Sequence, residues 1–203
     1  VLVFRGIGFA AGSRVRAVVS WSVRFPTMAN HTATPLLQEA LREVLGDHVK
    51  QAGSAVRPDK LRFDFTHGQQ LSAEERDQVE QRVNRAIFEN HPLHVFETPI
   101  GEARKLGAMM LFGEKYGDIV RVVEIEGVSR ELCGGTNVRT TAEIGSFAIL
   151  TEGSVGSGAR RIEAVTSGEA WALLHGRSRE LDAVRAALEE TRRELKPKPA
   201  QGG

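Results

Sequence analysis

The sequence predicts an α+β fold with a mainly antiparallel sheet packed with helices, a short N-terminal β segment and a long C-terminal helix. Apolar and charged residues alternate over 61–65, which is typical of a half-buried strand. Ser72 and Glu75 form a capping box, which predicts a helix over 72–90. Leucines recur every seven residues over 174–195, which predicts one long helix. Strand and helix signals alternate without a regular βαβ period, and this favours an antiparallel arrangement.

The N-terminal part of the chain divides into a β segment and a helix. Residues 1–4 and 14–21 are predicted to be short strands, with glycines at the turns. The helix is expected to begin near Thr34, because threonine suits an N-cap and Pro35, which lacks a backbone N–H, suits the first turn. Gly46 is a natural end for it. Further strands are predicted around residue 95 and over 119–125, 146–151 and 159–165.

Residues 168–196 are predicted to be a long amphipathic helix. One interpretation lays this helix on the domain or on a neighbouring domain. The other makes it a coiled coil through which two copies of the chain associate. Polar residues such as Thr191 or Arg192 stand at intervening seam positions and weaken the coiled-coil interpretation. The prolines after Lys196 end the helix, and 197–203 are expected to be disordered.

Composition indicates an ordinary globular protein, with 41% hydrophobic and 26% charged residues. The net charge is +1, so any contact with nucleic acid must come from a local basic patch. No apolar run approaches the roughly 20 residues of a membrane span, and no membrane partner is expected. Cys133 is the one cysteine, which excludes an internal disulfide and fits a reducing cytoplasm. The start of the sequence favours an internal fragment over a signal peptide.

Two short segments stand out as candidate sites. NHTATPLL at 30–37 opens the first helix, and ELCGGTN at 131–137 lies in a glycine-containing loop between strands. Taken alone, His31 is typical of a capping or surface histidine, and Cys133 of a small buried residue. The glycine-rich segment 107–117 lacks the GxxxxGK[ST] spacing of a phosphate loop, and we interpret it as a wall beside a pocket.

NHTATPLL resembles the HxxxH segment of alanyl-tRNA synthetase editing domains, and ELCGGTN resembles their CxxxH segment. The threonyl-tRNA synthetase editing domain and the free-standing alanyl-tRNA editing proteins share this core. The resemblance implies that 1–26 are the end of a β-barrel-like subdomain and that 27–167 form the editing core. Four more strings are similar to the family: VKQAGS (49–54), LRFDFTH (61–67), GAMMLFGEKYGD (107–118) and GARRIEAVTSGEA (158–170).

The same resemblance implies a zinc site that is incomplete here. In the family, two histidines four residues apart on one helical face and a cysteine and histidine from the glycine loop supply four zinc ligands. His31 and Cys133 match, but Pro35 and Asn137 replace the other two ligands. Proline has no donor atom, and an amide oxygen is a poor zinc ligand beside an imidazole. We therefore expect zinc to be weakly bound or absent. Two other histidines are considered as substitute ligands, His48 and His67.

Four intact positions receive roles from the resemblance. Thr34 and Gln51 match positions that shape the amino-acid pocket, and they are the candidate catalytic residues. The alternatives are a helix N-cap for Thr34 and an ordinary surface amide for Gln51. Arg160 and Arg161 match positions near the RNA end and are candidates for tRNA binding. Because consecutive strand residues point to opposite faces, one arginine is expected to face the pocket and the other to be solvated or ion-paired.

The implied activity is hydrolysis of mischarged seryl- and glycyl-tRNA for alanine, by the editing region of an alanine–tRNA ligase weakened by the loss of two metal ligands. The alternative is a catalytically inactive tRNA-binding or scaffold module. Nothing in this sequence provides an ATP-binding aminoacylation core. No Ser-His-Asp or Cys-His nucleophile set is evident, so Cys133 is interpreted as a ligand. The expected partner is alanine-specific tRNA and the expected location is the cytoplasm.

Overall fold

The structure is a computed structural model that describes residues 7–8, 10, 12–110 and 115–195. The predicted strand at 1–4 and the predicted disordered tail at 197–203 lie outside the described residues. The division into a subdomain at 1–26 and an editing core at 27–167 stays a prediction. The elements are α1 (Trp21–Leu45), β1 (Gln51–Val56), β2 (Leu61–Thr66), α2 (Ala73–Phe88), β3 (Leu93–Pro99), α3 (Ile100–Lys105), β4 (Ile119–Ile125), β5 (Ser129–Leu132), a 3₁₀ helix (Thr141–Ile144), β6 (Phe147–Gly156), β7 (Ala159–Thr166) and α4 (Ser167–Glu194).

The strands form two antiparallel sheets. One has the order β1-β2-β7-β6 and the other the order β3-β4-β5. Every named pair of neighbouring strands runs antiparallel. The predicted α+β fold with a mainly antiparallel sheet and a long C-terminal helix is therefore confirmed. The predicted strands at 61–65, 119–125 and 159–165 correspond to β2, β4 and β7, and β6 runs beyond its predicted end to Gly156.

The main core lies between the four-stranded sheet and helices α1 and α2. On β2, Leu61, Phe63 and Phe65 are fully buried, as the alternation of apolar and charged residues predicts. The capping box of α2 is formed in both directions. Glu75 N donates to Ser72 Oγ at 3.0 Å, and Ser72 N donates to Glu75 Oε2 at 2.7 Å. The prediction of this helix is confirmed at its first residue.

Helix α1 begins at Trp21 and not near Thr34. The predicted strand at 14–21 is therefore wrong, since the described residues before Trp21 form no regular element. Pro35 lies inside the helix, where its missing N–H leaves a carbonyl without its usual partner. The helix continues because its apolar face, including Leu37, is completely buried in the core. Tertiary packing thus outweighs the local preference of proline for a first turn.

Helix α4 packs on the domain through its first turns. Ala170 is fully buried, whereas residues 177–194 are exposed. Leu174, Leu181 and Leu188 of the heptad stripe are 40%, 50% and 50% exposed. The described part of the domain covers the first turns of the helix and leaves the stripe exposed, so packing of the stripe on a neighbouring domain stays a prediction. Association of this stripe with a second copy stays a prediction. No helix in the described part of the chain combines the length and apolar character needed to span a membrane.

Candidate functional site

A cavity of about 710 Å³ opens between α1, β1 and the loop that follows β5. Helix α1 contributes His31 and Thr34 to its lining, and β1 contributes Gln51. The loop contributes Cys133. These four predicted site residues come from three separate parts of the sequence. The fold therefore brings them to one concave surface, which is the usual setting of a small-molecule site.

The segment 107–117 forms one wall of this cavity in its described part. Met109 and Met110 line the cavity, and Gln38 Nε2 donates to Met109 Sδ at 3.4 Å. The backbone of Met109 is also bound to β5, since Leu132 N donates to Met109 O at 2.9 Å. The interpretation of this segment as a pocket wall is confirmed for these residues.

His31, Cys133 and Asn137 form a connected cluster in this site. His31 Nε2 lies 3.6 Å from Cys133 Sγ, and His31 Nδ1 lies 3.0 Å from Asn137 Oδ1. An amide oxygen only accepts hydrogen bonds, so Nδ1 carries the hydrogen and donates it. Cys133 Sγ lies 3.6 Å from Nε2 and 3.9 Å from Nδ1, so the sulfur lies beside the ring and not along the lone pair of Nε2. His31 reaches Cys133 from α1, 102 residues away in the chain, so the residues around Cys133 in the sequence do not show this contact.

Arg121 on β4 holds the loop at 133–137 through its backbone, and Gly135 lets the loop pass close to α1. Arg121 Nη1 donates to the backbone carbonyls of Cys133 and Gly135 at 2.6 and 3.0 Å. A Cβ added to Gly135 would lie 2.6 Å from His31 Cε1, which is closer than side-chain atoms approach. Glycine is thus required at 135 for the loop to pass this close to the imidazole.

Charge and hydrogen bonding in the cluster favour a proton on the imidazole. The hydrogen bond with Cys133 raises the pKa of His31 above its usual value, although burial acts to lower it. Burial acts to raise the pKa of the Cys133 thiol, but the hydrogen bond and the positive charge of His31 outweigh it, so that this pKa is lowered. The two shifts describe one interaction, in which each charged form stabilises the other.

Thr34 and Gln51 present polar atoms at the cavity wall. Thr34 lies in the interior of α1, where its Oγ1 donates to the Asn30 carbonyl at 3.0 Å. Its interpretation as an N-cap is therefore wrong. Gln51 Nε2 donates to Ser54 Oγ at 3.2 Å, within the same strand. Both side chains lie at the cavity, which is the position that a role in substrate selection requires.

Glu131 lines the cavity but was not among the predicted site residues. Burial raises the pKa of its carboxyl, and the positive charge of His31 acts against this rise. The available signal was spacing, because residues two apart in an extended segment face the same side and Cys133 follows at that distance. The cavity therefore contains a carboxyl group close to the imidazole.

Arg160 and Arg161 are both ion-paired, and neither is among the residues that line the cavity. Arg160 Nε lies 2.5 Å from Glu152 Oε1. Arg161 makes a two-pronged contact with Asp64, at 2.6 and 2.8 Å. The expectation that one of them faces the pocket is wrong, because acidic partners on neighbouring strands β6 and β2 hold both guanidinium groups.

Comparison with known proteins places the chain in a family. The family model described as "Threonyl and Alanyl tRNA synthetase second additional domain" matches residues 120–163. The chain is 54% identical over 177 residues to the alanine–tRNA ligase of Desulforudis audaxviator (strain MP104C), covering 87% of this chain and 20% of that protein. It is 49% identical over 190 residues to the alanine–tRNA ligase of Listeria monocytogenes serotype 4b (strain F2365), covering 94% and 22%. This chain belongs to the threonyl and alanyl tRNA synthetase second additional domain family.

The chain spans about a fifth of the length of these relatives, the share being 20% for the Desulforudis audaxviator protein. The chain is also 54% identical over 177 residues to the alanine–tRNA ligase of Thermotoga maritima. That match covers 87% of this chain and 20% of that protein. The part of this chain that matches the family model begins in β4 and ends in β7. It therefore includes the loop with Cys133 and Asn137, but not helix α1 with His31.

The donor atoms at this site do not fit a four-ligand zinc site. Asn137 Oδ1 is engaged by His31 Nδ1 at 3.0 Å and lies 3.3 Å from Thr32 Oγ1. Pro35 offers no donor atom. Within the described ranges, no group of three or more His, Cys, Asp and Glu side chains is arranged to hold a metal ion. His48 and His67 do not supply the missing ligands, because they contact each other at 2.8 Å and do not line the cavity.

Proposed function

We propose that this chain is the editing region of an alanine–tRNA ligase and that it hydrolyses the ester of serine or glycine with alanine-specific tRNA. The observation that carries the proposal is the cavity in which Thr34, Gln51, His31 and Cys133 converge. Family membership supports the substrate class, because the relatives are alanine–tRNA ligases. The proposed location is the cytoplasm, where such a ligase meets its tRNA.

The cavity suits selection of a small acyl group. An aminoacyl ester is already activated, so the protein mainly has to hold it, admit water and reject the correct amino acid. Thr34 and Gln51 place hydroxyl and amide groups at the wall. A polar wall disfavours the methyl group of alanine, because polar atoms that lose their partners on binding cost free energy. A seryl hydroxyl replaces those partners, and this supports serine as a substrate.

The experiment is hydrolysis of radiolabelled seryl-tRNA and alanyl-tRNA, both on alanine-specific tRNA. We expect seryl-tRNA to be cleaved faster than in buffer, and alanyl-tRNA to be cleaved at least about tenfold more slowly than seryl-tRNA. Each reaction is run with added zinc and with a chelator. Equal rates with and without protein, in both conditions, would contradict the proposed activity.

We further propose that zinc is held weakly or not at all. The support is the donor geometry, since Asn137 uses its oxygen on His31 and Pro35 has no donor. The same observation favours the second candidate function, a catalytically inactive tRNA-binding module. That candidate is distinguished by the variant Pro35→His/Asn137→His. If the unmodified chain matches buffer while the double variant cleaves seryl-tRNA, the inactive module is correct.

Binding of tRNA is proposed to use basic residues at the cavity rim. Arg42 and Lys50 line the cavity, and Arg160 and Arg161 stay candidates for contacts outside it. We expect the binding constant to fall as salt rises, with a slope of log K against log salt of about −0.7 for each phosphate contact to single-stranded RNA. Lys50→Gln should remove one phosphate contact and make this slope less steep by about 0.7. A salt titration of tRNA binding measures the slope.

The matched control is Lys105→Gln, because Lys105 is ion-paired with Glu102 on α3 and does not line the cavity. Its slope should equal that of the unmodified chain. Binding that is independent of salt would contradict the proposal of phosphate contacts.

A further inference from the structure

Two histidine rings lie edge to edge beside the cavity. His48 follows the end of α1, and His67 follows the end of β2. His48 Nε2 and His67 Nδ1 share a hydrogen bond of 2.8 Å, and the planes of the two rings differ by 27°. Because a ring nitrogen bonds in the plane of its ring, the two imidazoles form one nearly flat aromatic surface. Its ring centroids are 5.1 Å apart, so this surface offers more area for stacking than one imidazole does.

The histidine pair is exposed and lies at the rim of the cavity. Val49 is buried in the core, whereas His48 and Lys50 on either side of it are exposed. Residues next to the pair in the sequence line the cavity, namely Asp47, Val49, Lys50 and Thr66. A strand of RNA that enters the cavity therefore passes the two imidazoles, with the positive charge of Lys50 beside them.

We propose that His48 and His67 form a stacking platform for an unpaired nucleobase of the RNA strand whose end carries the ester. The proposal rests on the proposed function for its partner, a tRNA, and it adds a base contact to the phosphate contacts at the rim. Proteins that bind single-stranded RNA combine aromatic rings for the bases with positive charges for the phosphates. His48 and Lys50 supply both kinds of group within three residues of the chain.

The backbone around the platform holds it in place. Thr66 Oγ1 donates to His48 O at 2.7 Å and accepts from Lys50 N at 2.9 Å. Thr66 N donates to Lys50 O at 2.9 Å. His67 N donates to Gly158 O at 3.0 Å, which joins the other ring to the turn before β7. Because both rings are positioned before RNA binds, less conformational entropy is lost on binding.

The hydrogen bond and the burial of His67 favour stacking over phosphate binding. Burial lowers the pKa of His67, and the neighbouring His48 acts in the same direction. His67 is therefore uncharged at neutral pH. The shared hydrogen bond also requires that one of the two facing nitrogens has no proton. An uncharged aromatic ring has a face for a nucleobase but no charge for a phosphate, so the contact should depend little on salt.

The experiment measures binding of deacylated alanine-specific tRNA to the full chain over a range of salt concentrations. His48→Ala should weaken binding about tenfold, because it removes the stacking of one base. It should leave the slope of log K against log salt unchanged, since stacking releases no counterions. Lys50→Gln should instead make this slope less steep by about 0.7. His48→Phe keeps a flat ring and should bind within about threefold of the unmodified chain.

The matched control is His94→Ala, because His94 is an exposed histidine on β3 that contacts Glu126 and does not line the cavity. Its affinity for the tRNA should equal that of the unmodified chain.

A tRNA that lacks one base tests the same contact from the RNA side. Each unpaired nucleotide at the end that carries the ester is replaced in turn by an abasic ribose. One of these replacements should weaken binding to the unmodified chain about tenfold and should have no further effect on His48→Ala. The loss in the unmodified chain does not depend on the folding of a variant.

A loss of affinity in His48→Ala with an unchanged salt slope, which one abasic position makes non-additive, supports the platform. The platform is overturned if His48→Ala keeps the affinity, if its salt slope becomes less steep, or if His48→Phe binds as weakly as His48→Ala. It is also overturned if every abasic tRNA weakens binding to the unmodified chain and to His48→Ala by the same factor.

Hydrolysis of seryl-tRNA by the unmodified chain is measured in parallel and separates this inference from the function on which it rests. Hydrolysis without the base contact overturns the platform while the proposed function stands. The base contact without hydrolysis supports the platform while the proposed hydrolysis fails. If the unmodified chain binds no tRNA, both fail.

Discussion

Replacing Pro35 and Asn137 by histidine is expected to give this chain one tightly held zinc ion. Residue 35 lies one turn after His31 on α1, so a histidine there faces the same side of the helix. The side chain at 137 already reaches the imidazole, with 3.0 Å between Asn137 Oδ1 and His31 Nδ1. Together with Cys133, the variant offers the four nitrogen and sulfur donors that zinc prefers. A complete structural site contributes roughly 10–16 kcal/mol of apparent binding free energy.

Zinc content after dialysis measures this effect directly, and thermal unfolding with and without a chelator measures its consequence. With free zinc a thousandfold above Kd, the free energy of unfolding of the double variant should rise by about 4 kcal/mol. The matched controls are the single variants Pro35→His and Asn137→His, which offer three donors each and should bind zinc less tightly. A folded double variant that retains no zinc would show that the four positions do not converge.

Gly135→Ala is expected to damage the site, whereas Gly134→Ala is expected to leave it largely intact. A Cβ at 135 would lie 2.6 Å from His31 Cε1 and 2.7 Å from His31 Nε2. A Cβ at 134 would meet nothing within 4 Å. The alanine at 135 must therefore displace the imidazole or the loop, at a cost of about 1–3 kcal/mol in the free energy of unfolding. Displacement of the imidazole that lines the cavity by about 1 Å is expected to lower the rate of seryl-tRNA hydrolysis by about a hundredfold.

Urea unfolding and hydrolysis of seryl-tRNA are the two measurements for this pair. The comparison is matched, because both variants add one methyl group to adjacent residues of the same loop. If both variants keep the rate of the unmodified chain, the close approach of the loop to His31 does not matter for activity. If both variants lose the same share of the hydrolysis rate, a general disturbance of the loop explains the loss, and the contact with the imidazole does not.

Local patterns were sufficient for most secondary structure in the described part of the chain. The capping box at Ser72 and Glu75 and the alternation over 61–65 each identify an element from neighbouring residues. Helix α1 is the main exception. Pro35 favours a helix start, but burial of the apolar face keeps it inside a continuous helix. A local signal fails where long-range packing contributes more free energy than the local preference.

For the site too, local patterns located some residues, whereas the orientation of others depended on long-range contacts. The two strings that contain His31 and Cys133 both contribute to the lining of one cavity, and the roles of these residues stay predictions. The orientation of Arg160 and Arg161 was not predictable from strand alternation alone. Their partners, Glu152 and Asp64, are positioned by strand pairing, and single-strand patterns contain no information on the neighbouring strand.

The sequence by itself determined the family, the α+β class, and the absence of histidine donors at positions 35 and 137, because these are properties of residue identity and local spacing. Only the tertiary structure decided that His31 contacts both Asn137 and Cys133, with the sulfur 3.6 Å from Nε2 and 3.9 Å from Nδ1. The physical reason is that ring orientation depends on hydrogen bonds between α1 and a loop 102 residues away, which no local pattern encodes. That contact brings an imidazole and a thiol from distant parts of the chain to one cavity.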